Sequence, residues 1–524
     1  MSFKTCKAMS VAAALLFLGA TGCTDLTVEP KSTVTEANIF ADATSYRSFI
    51  AKVYAGLAVG GQQGGDGQTD IQGIDGGFSQ YIRLYWEHQE LPSDEAVIAW
   101  GDDGLSGLIQ QTWGVTNPFV VAMYYRVFFQ VMMANELLRQ STDAKLAERG
   151  QTALKATIAP YRAEARFLRA LSYWHGIDLF GDIPLVTEDD PLGSTPPQQA
   201  TRADIYNFIV SELTAIQSEL PTPGPTSYGR ATGPAASMLL AKVYLNAGVY
   251  TGTPNYAGAL AAASAVIGNA SYSLDPNFRH MFQADNHTSP EIVFAVPEDG
   301  LKTQTYGSTN FLIHASCGGS MNAGDYGIDG CWYGLRIKPE AVNRFTTGDN
   351  RNSFFSTVGN GPTINSIGNF DDGFKAPKFS NRTSTGAAGS HSGFVDTDYP
   401  MFRLADAYLI YAEAQLRGGG GTKAQALTYV NALRQRAFGN TSGNITDPQL
   451  TLDFLLDERG REFLWEGQRR QDLVRYGKFT GGTYLWSWKG GVKAGIATDG
   501  HLNLYPIPAN EISANPNLKQ NTGY

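Results

Sequence analysis

Two segments of the chain place aromatic and acidic residues side by side. The first is YWEHQELPSDEAVIAWGDDG (residues 85–104) and the second is NAGDYGIDGCWYG (residues 322–334). Aromatic rings pack against apolar C–H faces, and carboxylates at their edges accept hydrogen bonds from hydroxyl groups. Sugar rings offer both kinds of surface, so these segments could bind them. The candidate binding residues are Trp86, Trp100, Asp102, Tyr326, Trp332 and Tyr333.

The tryptophans differ in how strongly their surroundings favour a binding role. Glycine-rich sequence adjoins Trp100, Trp332 and Tyr333, which favours exposure over core packing. For Trp86 a binding role and a structural role are about equally favoured, because it ends the run IRLYW, which could be a strand that buries it. Arg382, in the polar stretch SNRTSTG, is a further candidate as a clamp for hydroxyl groups. The tryptophans on or beside predicted helices are expected to be structural: Trp174, Trp465, Trp486 and Trp488.

No catalytic or metal-binding motif accompanies these residues. The sequence has no H-E-x-x-H, G-x-S-x-G, P-loop or C-x-x-C pattern. Carboxylate pairs such as Asp102-Asp103 and Asp371-Asp372 are common in loops, whereas a glycosidase needs two carboxyls set across a cleft. The acidic pairs also lack the spacing of an EF-hand calcium loop. We therefore predict no catalytic residue, no metal site and no cofactor.

The N-terminus has the pattern of a lipoprotein export signal. A basic start precedes the apolar run 11–18, which is too short to span a bilayer. Small residues then lead to Cys23, as in a bacterial lipobox, although Ala20 stands where leucine is more usual. We predict a signal peptide over residues 1–22 and lipidation of Cys23. Ordinary signal cleavage near Ala20 is the alternative.

Charge and cysteine use are consistent with export. The chain has 49 acidic and 40 basic residues, and an acidic chain without a basic run has no electrostatic footprint for nucleic acid. Cys6 leaves with the signal and Cys23 is lipidated, so Cys317 and Cys331 remain. Two cysteines in one glycine-rich loop of an exported protein predict a disulfide. A zinc site is less favoured, because only His314 lies near enough to join them.

Helical apolar spacing recurs early and late in the chain. It covers residues 45–57, 118–139, 161–180, 202–220, 234–247, 256–267, 402–416 and 423–437. Residues 237–267 and 404–437 both follow the scheme of helix, short turn and helix, with small alanines on the contact faces. This is the packing pattern of tetratricopeptide pairs. We predict a mainly α protein in one body, with helix pairs from residues 45–57, 118–267 and 402–478.

The remaining sequence predicts long irregular regions. Residues 59–117 and 301–400 are the expected ligand-facing loops, because parts of them are rich in glycine and small polar residues. Loops this long in a compact protein are usually functional or disordered, and the aromatic residues favour function. A few short strands are expected beside them, at 291–296 and 310–313.

The C-terminal sequence is the most distinctive part of the chain. LLDERGREFLWEGQRRQDLVRYGK (residues 455–478) alternates acids and bases around apolar residues, which predicts a helix packed on one side and salt-bridged on the other. The chain ends with PIPANEISANPNLKQNTGY. Earlier segments are HQELPSDEAVIAW (88–100), EARFLRALSYWHGIDLFGDIPLV (164–186) and FRLADAYLIYAEA (402–414). Taken together in chain order, these segments resemble the SusD/RagB family of surface glycan-binding lipoproteins.

The resemblance implies a fold, a location and a partner. It implies that residues 23–524 form one SusD-like domain, anchored by lipid in the outer membrane and facing the cell exterior. There the protein would capture an oligosaccharide or polysaccharide non-covalently and deliver it to a TonB-dependent SusC-like transporter. Trp100 and Trp332-Tyr333 fall where the family usually carries ligand-contacting aromatics. The alternatives are a helix-repeat scaffold for protein interactions, or capture of peptides or other nutrients.

Overall fold

A stack of helices forms the body of the protein. The computed structural model describes residues 39–62, 64–65, 67–191, 193 and 195–524, and residues 42–524 form one compact unit. Cys23 and the predicted signal over residues 1–22 lie outside the described residues. None of the helices in the described ranges is long and apolar enough to cross a membrane.

The secondary structure is mainly helical, as the sequence predicts. In chain order the helices are α1 (Ala43–Ala58), α2 (Tyr81–Glu90), α3 (Leu105–Gln110), α4 (Pro118–Gln140), α5 (Asp143–Glu148), α6 (Lys155–Phe180), α7 (Arg202–Ile216), α8 (Gly233–Leu245), α9 (Ala247–Thr251), α10 (Tyr256–Ile267), α11 (Ser308–Ala315), α12 (Pro339–Val342), α13 (Leu404–Leu416), α14 (Lys423–Phe438), α15 (Leu452–Glu462), α16 (Arg469–Arg475) and α17 (Ala509–Ala514). The strands are β1 (Ala96–Ile98), β2 (Ile183–Pro184), β3 (Gln199–Ala200), β4 (Ile292–Val296), β5 (Leu335–Ile337) and β6 (Tyr399–Arg403).

The helix stack joins two distant parts of the sequence. Helix α4 packs on α6, α6 on α7, α7 on α8, and α8 on α10. The next helix in the stack is α13, which packs on α10 and then on α14. The predicted pairs at 237–267 and 404–437 are therefore neighbours in one array. This arrangement confirms the predicted tetratricopeptide-like body.

Local sequence sets where these helices begin and how closely they pack. Side chains of Thr201, Thr232, Asn255 and Thr422 accept hydrogen bonds from the first turns of α7, α8, α10 and α14, so each acts as an N-cap. Small residues let the central helices approach closely. The fully buried alanines of α8, α10 and α13 are Ala235, Ala236, Ala241, Ala259, Ala263, Ala405, Ala407, Ala412 and Ala414.

Short antiparallel strand pairs join loops that are remote in sequence. Strand β1 pairs with β5, β2 with β3, and β4 with β6. In the first pair Ala96 lies opposite Ile337 and Ile98 lies opposite Leu335. The predicted strand at 291–296 is confirmed as β4. The predicted β-like run at 310–313 is wrong, because these residues lie in α11.

The regions predicted as ligand-facing loops contain buried helices. Every residue of α2 is buried, and so is every residue of α11. The run IRLYW belongs to α2 and not to a strand. Sequence reasoning missed this helix because the run IRLYW reads as a strand, and because the polar residues of the helix, such as Arg83 and Glu87, are buried and mark no solvent-facing side.

The charged C-terminal segment, residues 458–475, lies inside the protein. The sequence predicts one helix packed on one side and salt-bridged on the other: the salt bridges are confirmed, but the segment is not a single helix and its ion pairs are buried. The helix breaks after Glu462 and resumes at Arg469, with Trp465 and Gly467 at positive φ in between. Its charges are paired in the interior: Arg403, 1% exposed, bonds Glu291, Glu462 and Glu466 at 2.7–2.8 Å.

The same segment forms ion pairs with other parts of the chain. Arg459 bonds Asp406 of α13 at 2.8 Å, and Asp406 also bonds Lys242 of α8 at 2.5 Å. Arg469 bonds Asp94, which lies just before β1, at 2.8 Å. Since a buried charge without a partner is costly, each of these segments must reach its place for the others to be stable.

We expect Arg403→Met to lower the free energy of unfolding by about 3–5 kcal/mol, because it leaves buried carboxylates without a counter-charge. Urea denaturation followed by circular dichroism measures the change. The matched control is Lys155→Met: Lys155 pairs with Asp143, and both side chains are more than half exposed. That substitution should change stability by no more than about 0.5 kcal/mol. Equal effects of the two substitutions would contradict a structural role for the buried pairs.

The pH dependence of stability should follow from the same pairs. Burial acts to raise the pKa of Glu462, but the charges of Arg436, Arg403 and Arg351 outweigh it and hold the pKa well below its ordinary value of 4.5. A carboxylate with a lowered pKa stabilises the fold above that ordinary value, and the stabilisation is lost as pH falls below it. The urea midpoint of Arg403→Met should therefore fall less steeply below pH 4.5 than that of the wild type.

Candidate functional site

The β1–β5 pair brings the two predicted binding segments together. Ala99 N–H donates to the Gly334 carbonyl at 3.0 Å, which extends the ladder beyond the strands. The Trp100 indole N–H donates to the Trp332 carbonyl at 2.9 Å, and the two ring centroids are 6.4 Å apart. Both rings are half-buried. Gly334 permits this contact, because a Cβ there would lie 2.9 Å from the Trp100 ring.

The end of α11 holds the second segment in place. Trp332 N–H donates to the His314 carbonyl at 2.9 Å, and the Trp332 ring stacks on the His314 ring at 4.6 Å. Cys317 and Cys331, the pair that the sequence predicts to form a disulfide, are bonded to each other in the structure. It closes the loop that leads from α11 to Trp332, so this ring is fixed from both sides.

Tyr333 projects away from the protein beside Trp332. Its side chain is 50% exposed and its φ is +54°, a backbone conformation that is rare for a bulky residue. Its N–H donates to the Cys317 carbonyl at 3.0 Å, and its ring meets Phe370 edge to face at 5.4 Å. The surrounding loop thus holds an exposed aromatic ring in a strained conformation, which is a feature of functional sites.

Tyr306 and Phe394 complete the aromatic surface, and sequence reasoning missed both. Tyr306 meets Trp332 edge to face at 5.6 Å and stacks on Phe394 at 6.1 Å. Both rings are half-buried. Each adjoins a glycine, in TYGS and SGFV, so the rule applied to Trp100 could have found them. We call Trp100, Tyr306, Trp332 and Phe394 the aromatic platform.

Arg83 lies below the platform. Its guanidinium carbon is 5.4 Å from the Trp100 ring centroid, and its Nη1 donates to the Tyr306 carbonyl at 3.2 Å. It also pairs with Glu87 at 3.0 Å. Burial raises the pKa of Glu87 to about 7, against the opposing effect of the Arg83 charge. Arg83 therefore joins two platform residues that lie far apart in sequence.

Trp86 is wrong as a binding residue. It is fully buried in α2, where its indole N–H donates to the Trp465 carbonyl at 3.0 Å. Its ring meets Phe311 at 5.6 Å, and Phe311 in turn meets Trp100 at 5.8 Å. Trp86 thus supports the platform from the core and cannot itself contact a ligand at the surface.

The remaining predicted residues lie in different settings. Asp102 is exposed, two residues after Trp100. Tyr326 is half-buried, in the turn where Arg382 donates to the Gly324 carbonyl at 2.9 Å and to the Gly386 carbonyl at 2.8 Å. The guanidinium of Arg382 is thus largely engaged in holding the protein's own backbone. The described residues hold no cluster of three or more His, Cys, Asp or Glu side chains that could bind a metal.

Comparisons with known proteins identify the class. Residues 352–524 match the model of the SusD family, and residues 86–245 match a family described as starch-binding and associating with the outer membrane. The chain is 34% identical to the starch-binding protein SusD of Bacteroides thetaiotaomicron, over 98% of this chain and 97% of that protein. The chain therefore belongs to the SusD family.

Solved structures share this fold. A SusD superfamily protein from Bacteroides thetaiotaomicron superposes with a TM-score of 0.70 at 22% identity, covering 91% of this chain and 99% of the other. Surface glycan-binding protein A from the same organism, solved in complex with laminarihexaose, superposes with a TM-score of 0.69 at 20% identity and the same coverage.

Reduction of Cys317–Cys331 should loosen the part of the platform that Trp332 provides. Opening the loop restores conformational entropy to the unfolded chain, and we expect stability to fall by about 2–4 kcal/mol. Hydrogen exchange should show faster exchange at the amides of residues 332–334, which bond carbonyls at the end of α11. Amides in the middle of α13 are the internal control. Unchanged exchange at 332–334 in the reduced protein would show that the disulfide does not hold the platform.

Proposed function

We propose that this protein binds an oligosaccharide or polysaccharide non-covalently on the aromatic platform. The observation that carries the proposal is the convergence of half-buried rings from residues 100, 306 and 332, which come from three separate segments. Rings at different angles can follow a chain of sugar residues by stacking on successive C–H faces. Tyr333 would add a stacking surface beside them.

Polar groups around the platform would bind sugar hydroxyls. Asp102 is exposed next to Trp100 and can accept hydrogen bonds. Tyr326 would contribute a hydroxyl, while Arg382 would act mainly by holding the turn that carries Tyr326. The arrangement favours binding without cleavage, because Glu87 is buried against Arg83 and Asp102 and Asp103 are adjacent on one turn. A glycosidase requires two carboxyls on opposite sides of the bond it breaks.

A starch-type glucan is the first ligand to test. Support comes from the full-length similarity to a starch-binding protein, which is closer than the similarity to the laminarihexaose complex. Laminarin is the natural comparison ligand, because that structure shares the fold.

We further propose that Cys23 carries a lipid anchor in the outer membrane and that residues 1–22 are a signal peptide. The protein would face the cell exterior and deliver glycan to a TonB-dependent SusC-like transporter. A permanent complex of this kind buries more than about 2,000 Å². Family membership supports this proposal, and so does a body far larger than the platform alone requires.

The structure does not favour a peptide-binding groove between the helix pairs. From Ala163 to Phe180, α6 is buried at every residue except Arg166. The chain's own C-terminal segments pack on the end of this helix: Tyr505 N–H donates to the Leu179 carbonyl, and the Asn521 side chain donates to the Phe180 carbonyl, both at 2.8 Å. This part of α6 is therefore not open to a peptide.

Trp100→Ala should weaken glycan affinity about tenfold or more, because a stacked ring contributes roughly 1–2 kcal/mol through its buried area. Affinity electrophoresis in starch gels and calorimetry with maltoheptaose, on the soluble form that begins after Cys23, measure the loss. Trp332→Ala should act similarly.

The matched control is Trp488→Ala. Trp488 is also half-buried and donates its indole N–H to a backbone carbonyl, that of Ile364, at 3.1 Å. Its removal should leave affinity unchanged. Glycan binding that survives both platform substitutions, or release of hydrolysis products, would refute the proposal. Peptide binding without glycan binding would favour the interaction-scaffold alternative.

Cys23→Ala should release the protein from membranes or stall its processing, because the acyl chains need the thiol. Fractionation of the native host followed by immunoblotting tests this, with Cys6→Ala as the control, since Cys6 lies within the predicted signal. Mild-detergent pull-down of the wild type should also recover a large barrel protein. Equal membrane retention of the Cys23→Ala variant would refute the anchor, and recovery of the lipoprotein alone would count against the transporter complex.

A further inference from the structure

A cleft of about 940 Å³ opens beside strand β4, and no residue of the aromatic platform lines it. Its lining includes residues from 223–232, which lead into α8, residues of β4, and Ser390, Asp396 and Asp398. The volume is within the range of small-molecule and cofactor sites.

Aromatic rings line this cleft as they line the platform. Tyr228 and His287 meet edge to face, with ring centroids 6.3 Å apart, and Tyr272 lies in the same lining. The Tyr228 hydroxyl donates to the Asp398 carboxylate at 2.6 Å, which fixes the ring. His287 is exposed and Tyr272 is half-buried, so their faces are accessible to a ligand.

Glu298 adds no negative charge to the cleft. The residue belongs to the lining but is only 7% exposed, and burial raises its pKa to about 8, so its carboxyl carries a proton at neutral pH. Its Oε1 is fully buried, so Glu298 contributes to the neutrality of the cleft and not to contact with a ligand.

The charges of the cleft argue against an ionic ligand. Arg230, the guanidinium of the lining, pairs with Glu164 through both Nε and Nη2. Asp396 already accepts from Gly300 N–H at 2.8 Å and from Ser390 Oγ at 2.7 Å. A phosphate would need an unpaired cation, and a basic peptide would need free carboxylates. A neutral ligand rich in hydroxyl groups fits the lining better.

A single turn connects the cleft to the platform. Residues 390 and 396 line the cleft, and Phe394 between them stacks on Tyr306 of the platform. Leu301 of the neighbouring loop also lines the cleft and is 62% exposed. The same turn therefore contributes residues to both surfaces.

We propose that this cleft is a second glycan subsite, which takes a further stretch of the polysaccharide that the aromatic platform binds. The proposal rests on the glycan-binding function proposed above. Two linked subsites bind a long chain more tightly than either binds alone, because the second contact is intramolecular. A short oligosaccharide held on the platform gains nothing from the cleft.

The test compares ligands of different length on two sets of variants. The cleft variants are Tyr272→Ala/His287→Ala and His287→Ala alone, the second removing only an exposed ring in case the first does not fold. The platform variant is Trp100→Ala. Affinity electrophoresis uses whichever of starch and laminarin the wild type retards, and calorimetry uses the matching trisaccharide, maltotriose or laminaritriose.

We expect the cleft variants to lose about threefold to tenfold in affinity for the polysaccharide and to bind the trisaccharide as the wild type does. The platform variant should lose affinity for both. Cleft variants with unchanged polysaccharide affinity would overturn the second subsite and leave the platform function intact. An equal loss for both ligands would also overturn it, because the cleft would then act through the fold. A wild type that binds neither polysaccharide would refute the proposed function itself.

Discussion

Buried ion pairs made by residues 458–475 are the constraint on which the rest of the structure depends. A charge in the protein interior is tolerated only with its partner in place, and some partners here come from distant segments: Asp94 pairs with Arg469 and Asp178 pairs with Arg470. Arg403 alone bonds carboxylates from β4's N-terminal flank and from two turns of the C-terminal segment. Lys242 of α8 pairs with Asp406 of α13, and Asp406 also pairs with Arg459 of α15. These ion pairs connect α8 and α13 to the C-terminal segment.

This constraint reaches the candidate site through a few residues. Arg469 and Arg344 bind Asp94 and Glu95, and β1 starts at the next residue. Because β1 then pairs with β5, its position decides where Trp100 lies relative to Trp332. The charged segment is thus connected to the platform through β1 and β5. The platform can remain partly exposed because its geometry is fixed from the core.

Buried aromatic residues lie beneath the aromatic platform and support it. Phe311 lies under Trp100, and Trp86 lies beyond Phe311. The buried helices α2 and α11 carry this layer, so the loops that bear the platform rest on regular structure and not on further loop. Rings held in this way lose little conformational freedom when a ligand binds, which favours affinity.

Expectations from the sequence were correct where a local pattern decides the outcome. The helix pairs at 237–267 and 404–437 were predictable because small residues, caps and turns all lie within each segment. Trp100 and Trp332 were predictable as rings outside the core because glycine-rich sequence adjoins each. Trp86 was not, because α2 buries its polar residues as well as its apolar ones, and the run IRLYW alone reads as a strand. The burial of the charges of residues 458–475 was not predictable either, because partners such as Asp94, which pairs with Arg469, are far away in the sequence.

The sequence by itself thus determined the class of fold, the helical units, the disulfide pair and two rings of the platform. Only the tertiary structure decided that Tyr306 and Phe394 join those rings, that Arg382 holds backbone, and that Trp86 belongs to the core. These outcomes depend on pairing between segments such as β1 and β5, separated by more than two hundred residues. Local spacing sets what each segment can form, but which segments meet is settled by the burial of charge and apolar surface over the whole chain.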